Sequence, residues 1–215
     1  MNPPIPARWY FDLVSPFAYL HLKRFGELHP ALEVELVPVL FAGLLKHWDN
    51  KGPAELAPKR LHTYRSCVWV ASQHGIPFCM PPRHPFNPLH ALRLLVGLGS
   101  PRVAVDAAFD FIFGEGRDVG AEWPAFCARL GIAEDAAAAL TGDPAVKQRL
   151  IDNTATAAAQ GVFGVPTLAV RGEQFWGSDT IAWCNAFIDD PQMFATGEMK
   201  RAGETGIGAM RKEAG

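Results

Sequence analysis

The fold of this chain is decided by the stretch Trp9-Tyr10-Phe11-Asp12-Leu13-Val14-Ser15-Pro16-Phe17-Ala18-Tyr19-Leu20. Its first half is short and rich in aromatic side chains, which predicts a β-strand over residues 8–13. Serine followed by proline favours a helix start, because serine caps free N–H groups and proline lacks the N–H that would have no partner there. The stretch therefore predicts a strand that passes directly into a helix at Ser15.

The segments on either side of this stretch complete an α/β pattern. Leu32 to Val39 alternates apolar and polar side chains and predicts a second strand, so the chain begins as β-α-β. Residues 165–170 and 173–176 flank Arg171-Gly172, which has turn chemistry, and predict a hairpin followed by a helix over 180–188. Between these ends the apolar spacing predicts helices over 58–73, 88–97, 100–113, 123–130, 132–140 and 144–160.

This order of elements predicts a small mixed sheet, covered by helices and interrupted by an all-helical subdomain. We assign residues 8–50 and 161–195 to the sheet domain and residues 51–160 to the inserted helices. The tail over residues 203–215 is polar and glycine-rich, and we expect it to be disordered.

Composition and charge restrict the possible partners. The 215 residues are 49% hydrophobic and carry a formal net charge of −2, so neither a disordered chain nor a nucleic-acid-binding surface is expected. We find no signal peptide and no apolar run long enough to span a bilayer, so no membrane partner is expected. The four cysteines form no C-x-x-C pair, which is typical of free thiols in a reducing compartment, and we expect a cytoplasmic protein.

Three segments carry groups suited to a ligand. Ser15 would place its hydroxyl beside the free N–H groups of a helix N-terminus, which favour an anion such as a thiolate; a plain N-cap is the alternative. A cis Val165–Pro166 bond would turn the Val165 N–H and C=O outward to pair with an extended peptide-like ligand; a trans proline is the alternative. Ser178 and Asp179 begin a later helix, where they could bind a carboxylate and an ammonium group or act only as caps.

Further polar residues follow the second strand, and they could hold a carboxylate or lie in a solvated loop. They are Lys46, Asn50, Lys59 and Arg60. The seven histidines form no metal-binding motif, and the pair His84 and His90 around a proline-rich loop is weak, so we expect no metal site. Neither G-x-S-x-G nor G-x-G-x-x-G occurs, which argues against a serine hydrolase and a dinucleotide site.

Three stretches together resemble one family in their order and spacing. They are Trp9 to Leu20, then Gly161-Val162-Phe163-Gly164-Val165-Pro166-Thr167, then Phe175-Trp176-Gly177-Ser178-Asp179. They are similar to the 2-hydroxychromene-2-carboxylate isomerases, which are related to kappa-class glutathione transferases within the thioredoxin-like superfamily. The resemblance covers about residues 8–190. It implies an α/β thioredoxin-like fold (β-α-β … β-β-α) with an inserted all-helical subdomain, a homodimer, and glutathione as cofactor.

The resemblance also implies roles for single residues. Ser15 matches the catalytic serine that favours the thiolate of glutathione, and Val165, before the cis Pro166, matches the residue whose backbone pairs with the cysteinyl part. Ser178 and Asp179 match the γ-glutamyl-binding pair. Lys46 and Asn50 match positions that contact the substrate, and Asn50 also matches one that contacts glutathione. Lys59 and Arg60 match further substrate-contacting positions in the stretch that follows. The implied reaction is cis–trans isomerisation of a small aromatic substrate to trans-o-hydroxybenzylidenepyruvate, by reversible addition of the thiolate.

Two departures from the family pattern keep other functions open. Thr180 stands where the family has an arginine, and the stretch 64–69 lacks the family's acidic residue and its basic partner. A kappa-like glutathione transferase or peroxidase acting on other electrophiles is therefore the alternative activity. A thiol–disulfide oxidoreductase would need a cysteine in place of Ser15. A non-catalytic ligand-binding module that keeps only the fold is the remaining possibility.

Overall fold

A four-stranded mixed sheet lies at the centre of the computed structural model, which describes residues 3–209. The strands are β1 (Ile5–Phe11), β2 (Leu32–Pro38), β3 (Thr167–Val170) and β4 (Glu173–Trp176), in the order β2-β1-β3-β4. β1 is parallel to β2 and antiparallel to β3, and β3 is antiparallel to β4. The predicted α/β class, with β-α-β at one end and β-β-α at the other, is confirmed.

Ten α-helices surround this sheet in the described part of the chain. They are α1 (Pro16–Lys23), α2 (Phe41–His47), α3 (Ala57–Gln73), α4 (Leu89–Gly97), α5 (Arg102–Phe109), α6 (Trp123–Arg129), α7 (Glu134–Gly142), α8 (Pro144–Ala159), α9 (Ile181–Asp189) and α10 (Gly197–Gly203). The six helices predicted between the strand pairs are present. The one predicted over 100–113 ends at Phe109 and continues as a π-helical turn over Asp110–Gly114. Helices α2 and α10 were not predicted.

The aromatic run at the end of β1 supplies both sides of the core, because successive residues of a strand point to opposite faces of the sheet. Trp9 and Phe11 stack with ring centroids 4.8 Å apart and face the larger cluster, which includes Phe109. Tyr10 faces the other side, where α2 and α8 pack, and its hydroxyl donates to Gln160 Oε1 at 2.7 Å. The sheet is therefore held between two apolar layers.

The strand ends that carry the candidate ligand groups meet at one edge of the sheet. Tyr10 is paired with Thr167, and Thr167 with Trp176, so β1 and β4 end where β3 begins. Just beyond these pairs, the Gly177 N–H donates to the Pro166 carbonyl at 2.9 Å. The segments around residues 15, 165 and 178, far apart in sequence, are thereby brought to the same edge.

The end of the described chain differs in part from what the composition suggested. Helix α10 extends to Gly203, and residues 204–209 are exposed and have no regular secondary structure. The rest of the tail that we expect to be disordered, residues 210–215, lies outside the described residues. Within residues 3–209, no helix combines the length and the apolar character that crossing a membrane requires.

Truncation of Phe109 tests the larger core cluster. The ring is fully buried and contacts the rings of Trp9, Phe11, Tyr19 and Phe113. We expect Phe109→Ala to lower the free energy of unfolding by about 3–5 kcal/mol. The substitution leaves a cavity, and the neighbouring aromatic rings, which are packed against one another, cannot move enough to fill it. Urea denaturation measures the change, and Phe109→Leu, which keeps more of the volume, should cost less. Equal losses in the two variants would contradict this account.

Candidate functional site

Ser15 caps helix α1 and touches the loop before β3. Its Oγ accepts a hydrogen bond from the Ala18 N–H at 3.3 Å and donates to the Val165 carbonyl at 3.3 Å. Both distances lie beyond the usual range for such hydrogen bonds, so the hydroxyl is held weakly. The side chain is buried, at the positive end of the helix dipole, where a negative charge is stabilised. Ser15 is thus an N-cap, and the loop it touches is the one predicted to pair with a peptide-like ligand.

The Val165–Pro166 peptide bond is cis, as predicted. The Val165 carbonyl faces Ser15. The N–H of Val165 has no hydrogen-bond partner among the described residues. Gly164 is pressed against the indole of Trp176, since a Cβ there would lie 2.6 Å from Trp176 Nε1. A glycine is therefore required beside Val165, the residue whose carbonyl contacts the Ser15 hydroxyl and whose amide N–H is unpaired.

The turn after β4 presents Ser178 and Asp179 at the same edge. Gly177 has φ of +104°, and a Cβ on it would lie 2.5 Å from Asp179 Oδ1, so only glycine fits there. The Ser178 hydroxyl has no hydrogen-bond partner among the described residues, and none of the ion pairs among them includes Asp179. Arg24, at the end of α1, donates from Nη1 to the Ser178 carbonyl at 2.8 Å and holds the turn in place.

Asp12 is the residue that the sequence analysis missed. Its carboxylate is fully buried at the end of β1, with Oδ1 accepting from the Val14 N–H at 2.9 Å and Oδ2 from the Phe41 N–H at 2.8 Å. Burial raises the pKa of Asp12 to about 7, against the lowering effect of these two N–H groups. Asp12 therefore joins the loop that leads into Ser15 to the start of α2.

His84 also contacts this loop, although sequence reasoning noted it only as a weak pair with His90. Its Nε2 lies 2.7 Å from the Val14 carbonyl oxygen, and its Nδ1 lies 2.7 Å from the hydroxyl of Tyr64 on α3. His90 lies elsewhere, against the ring of Trp123. The one sequence signal near His84 is the surrounding run of prolines, and the His84–Pro85 bond is itself cis.

The four residues predicted to contact substrate are all exposed, and they lie on α2, just after α2, and in the first turn of α3. Lys46 and Asn50 lie at and after the end of α2, which is tied to the Val165 loop by a 2.9 Å hydrogen bond from Trp48 Nε1 to the Val162 carbonyl. Lys59 and Arg60 begin α3, one turn before Tyr64. No hydrogen bond or ion pair in the described chain joins any of these four residues to Ser15.

In the described chain, none of the protein's own thiols forms a hydrogen bond with Ser15. Cys67, Cys127 and Cys184 are buried, and burial raises the pKa of Cys67 to about 12 and that of Cys184 to about 11. Cys79 is exposed on the loop after α3. Among residues 3–209, no group of three His, Cys, Asp or Glu side chains is placed to hold a metal ion. The polar groups that converge at Ser15 are thus a hydroxyl and backbone amides.

The raised pKa of Asp12 predicts how stability depends on pH. The folded protein binds this proton more tightly than the unfolded chain does, whose ordinary pKa is 3.8. The free energy of unfolding should therefore fall as the pH rises from about 4 to about 7, by an amount on the order of 2–4 kcal/mol from this group.

Urea denaturation across this pH range, with Asp12→Asn beside the wild type, measures the effect. The amide introduced at this position cannot titrate, and its oxygen can accept only from one of the two N–H groups, so the variant should be less stable and should lose this part of the pH dependence. Asp135→Asn, at an exposed position, is the matched control and should keep the slope. The same slope in Asp12→Asn would show that Asp12 has no raised pKa.

Known proteins resemble this chain in sequence and in fold. A 2-hydroxychromene-2-carboxylate isomerase of Pseudomonas putida is 27% identical over 180 residues, 80% of this chain and 89% of that protein. A glutathione S-transferase kappa 2 of Caenorhabditis elegans is 26% identical over 78 residues, 35% of each chain. A solved 2-hydroxychromene-2-carboxylate isomerase superposes with a TM-score of 0.75 at 22% identity, over 94% of this chain and all of that one, and confirms the thioredoxin-like fold.

The resemblance predicted from the three sequence stretches is thus confirmed by relatives that carry the isomerase name. The model of the DsbA-like thioredoxin domain matches residues 8–188, a span that runs from β1 through the inserted helices to α9. The chain belongs to the DsbA-like thioredoxin domain family.

Proposed function

We propose that this protein is a glutathione-dependent cis–trans isomerase of 2-hydroxychromene-2-carboxylate-type intermediates of aromatic degradation. The observation that carries the proposal is the placement of Ser15, a buried hydroxyl at a helix N-terminus within 3.3 Å of the Val165 carbonyl. Relatives with the isomerase name support an isomerase, and they suggest a small-molecule substrate. The glutathione dependence rests on the site's chemistry and on the family resemblance.

The free polar groups at this edge fit a γ-glutamyl tripeptide. The unpaired Val165 N–H and the adjacent carbonyl offer one donor and one acceptor, which is what an extended cysteinyl residue needs. Beyond them, the Ser178 hydroxyl is free to bind the α-carboxylate, and the Asp179 carboxylate is free to bind the ammonium group. Thr180 donates its hydroxyl to the Gly177 carbonyl at 3.0 Å. Because a threonine is uncharged, it supplies no cation to the α-carboxylate of the tripeptide.

Ser15 would act on the sulfur by hydrogen bonding and through the helix. Its single proton now goes to the Val165 carbonyl at 3.3 Å, a weak bond that it can exchange for a bond to an anion. A thiol of pKa about 8.5 is roughly 3% ionised at pH 7, and lowering that pKa by two units makes about three quarters of it thiolate. When bound, glutathione supplies a sulfur nucleophile, whose addition turns a double bond of the substrate into a single bond that can rotate.

The substrate's carboxylate needs a positive group near this edge. Lys46 and Asn50 lie two residues before and two residues after Trp48, which is hydrogen-bonded to the Val165 loop, and Lys59 and Arg60 lie in the first turn of α3. We propose that these four exposed residues bind the substrate and that Asn50 also reaches glutathione. Apart from a 3.3 Å hydrogen bond from Arg60 Nη1 to the Ala54 carbonyl, the side-chain donors of these four residues make no hydrogen bond in the described chain.

A kappa-like glutathione transferase or peroxidase is the second candidate function. The observation in its favour is the kappa-class relative, together with the departure at Thr180. The two activities would share Ser15 and the tripeptide site and differ only in the electrophile. We further propose a cytoplasmic homodimer, in keeping with the family resemblance and with four cysteines that form no disulfide.

The function is tested by replacing Ser15. Calorimetry should detect glutathione binding to the wild type, and the ultraviolet absorbance of the thiolate should give the pKa of the bound thiol. In Ser15→Ala we expect that pKa to rise by about one unit and kcat/KM at pH 7 to fall about 100-fold, because a donor to the sulfur is lost. Ser72→Ala, at an exposed serine of α3, is the control and should change neither value.

The absence of a heat of glutathione binding to the wild type would refute the glutathione proposal as a whole. Intact binding in Ser15→Ala with an unshifted thiol pKa and normal turnover would remove Ser15 from the chemistry and favour a non-catalytic module.

A substrate panel separates the two candidate activities. We expect glutathione-dependent isomerisation of 2-hydroxychromene-2-carboxylate, followed by its change in absorbance, at a kcat/KM at least about 10-fold above that for conjugation of 1-chloro-2,4-dinitrobenzene or reduction of cumene hydroperoxide. The reverse order would assign the protein to the transferase or peroxidase class. Lys46→Met should raise KM for the carboxylate substrate without affecting these two uncharged substrates, if the charge acts on the carboxylate.

A further inference from the structure

The imidazole of His84 connects the inserted helices to the residue before Ser15. Its Nε2 is 2.7 Å from the Val14 carbonyl oxygen, and its Nδ1 is 2.7 Å from the Tyr64 hydroxyl. That hydroxyl is also 2.8 Å from the carbonyl oxygen of His84 itself. The Ser15 segment is therefore in contact, through one side chain, with helix α3.

The hydrogen-bond partners fix where the neutral imidazole carries its proton. The Val14 carbonyl can only accept, so Nε2 must be protonated. Nδ1 then has a lone pair, which accepts the proton of the Tyr64 hydroxyl. Neutral His84 is thus held in a single tautomer by two partners, one from the junction and one from α3.

The same partners also suit the protonated form. When Nδ1 gains a proton, it can donate to the Tyr64 oxygen, and the Tyr64 proton can turn to the carbonyl of His84. No hydrogen bond is lost in this exchange, because the hydroxyl has two acceptors within 2.8 Å. The pair can therefore take up or release one proton without moving the Val14 carbonyl.

No ion pair in the described chain includes His84, so the charge of a protonated imidazole is available to pair with an anionic ligand. The rings of Tyr64, Phe86 and Phe113 pack against the imidazole. On the Tyr64 side, Arg60 and Cys67 act electrostatically on the Tyr64 hydroxyl. On the other side is the Val14–Ser15 backbone, with the Asp12 carboxylate on the Val14 N–H. Burial lowers the pKa of the His84 imidazole.

We propose that His84 is a positioning residue for Ser15, and that it takes up the proton whose positive charge balances a thiolate bound there. This inference rests on the proposed function, because it requires a thiolate beside Ser15. Its two parts are separable: the hydrogen bond to Val14 orders the junction, and the charge stabilises the anion. A purely structural His84, one that only attaches the proline-rich loop to α3, would do neither.

Nitrogen-15 NMR of the imidazole, first without ligand, tests the positioning. We expect the Nε2–H tautomer at pH 7 and slow hydrogen exchange of the Ser15 and Ala18 amides. His84→Ala should speed up that exchange, while His84→Gln, which keeps a donor of similar reach, should restore it. His62→Gln, at an exposed position of α3, is the matched control. An Nδ1–H tautomer, or unchanged exchange in a folded His84→Ala, would overturn the positioning.

The charge is tested by adding ligand. Because linkage is reciprocal, a thiolate that is stabilised by protonated His84 must raise the pKa of His84, by about one unit. Glutathione should produce this rise, and its analogue with 2-aminobutyrate in place of cysteine, which has no sulfur, should not. His84→Gln cannot be charged, so we expect the bound thiol's pKa to rise by about one unit and kcat/KM at pH 7 to fall about tenfold. Tyr64→Phe should weaken the response of His84.

The outcomes separate this inference from the proposed function. If wild type binds glutathione, and Ser15→Ala shifts the thiol pKa, but His84 titrates alike with both ligands, the charge on His84 is ruled out and the proposed function stands. If wild type binds no glutathione, the proposed function and the charge both fall, and the ligand-free spectra still decide the positioning. Should His84→Ala fail to fold, the tautomer of the ligand-free imidazole decides the positioning, and the pKa of the bound thiol in His84→Gln decides the charge.

Discussion

The structure depends on how residue Val14 is held. Its N–H donates to the buried Asp12 carboxylate, and its carbonyl accepts from His84, so side chains fix both polar groups of one backbone residue. A buried carboxylate without a cation is costly, and here two backbone N–H groups, from Val14 and Phe41, reduce that cost. The consequence is a rigid passage from β1 into α1, with the Ser15 hydroxyl in a defined place at the helix N-terminus.

Much of the architecture could be predicted because it follows from local patterns. The alternation over Leu32–Pro38 and the turn residues Arg171-Gly172 are strand and hairpin signals that need no tertiary information. Helix α2 was missed because it has only seven residues, so its apolar positions Phe41, Leu44 and Leu45 extend over little more than one turn. The break after Phe109 was missed for another reason: Asp110 is held by Lys23 of α1, an ion pair across 87 residues of sequence.

The residues of the site also fall into those that local sequence signals identify and those that they do not. Ser15, Val165 and Ser178 lie at strand ends beside proline or glycine, so short-range chemistry identifies them. Such local signals do not identify Asp12 and His84, because the roles of these two residues depend on partners 29 and 70 residues away, at Phe41 and Val14. A buried aspartate after three aromatic residues looks like the end of any strand, and a histidine among prolines looks like any loop. Only the folded chain shows that both residues act on the segment before Ser15.

The distribution of sulfur in this chain bears on which chemistry the site can support. A thiolate nucleophile needs a helix N-terminus or a nearby cation, and a buried thiol in apolar surroundings loses reactivity. Here the helix terminus carries a hydroxyl, while Cys67 and Cys184 lie in apolar surroundings that raise their pKa. The anion-stabilising groups and the protein's buried sulfur are therefore in different places. Under the proposed function, the thiolate is therefore one that a ligand brings, and the free amide of Val165 would hold that ligand beside the Ser15 hydroxyl.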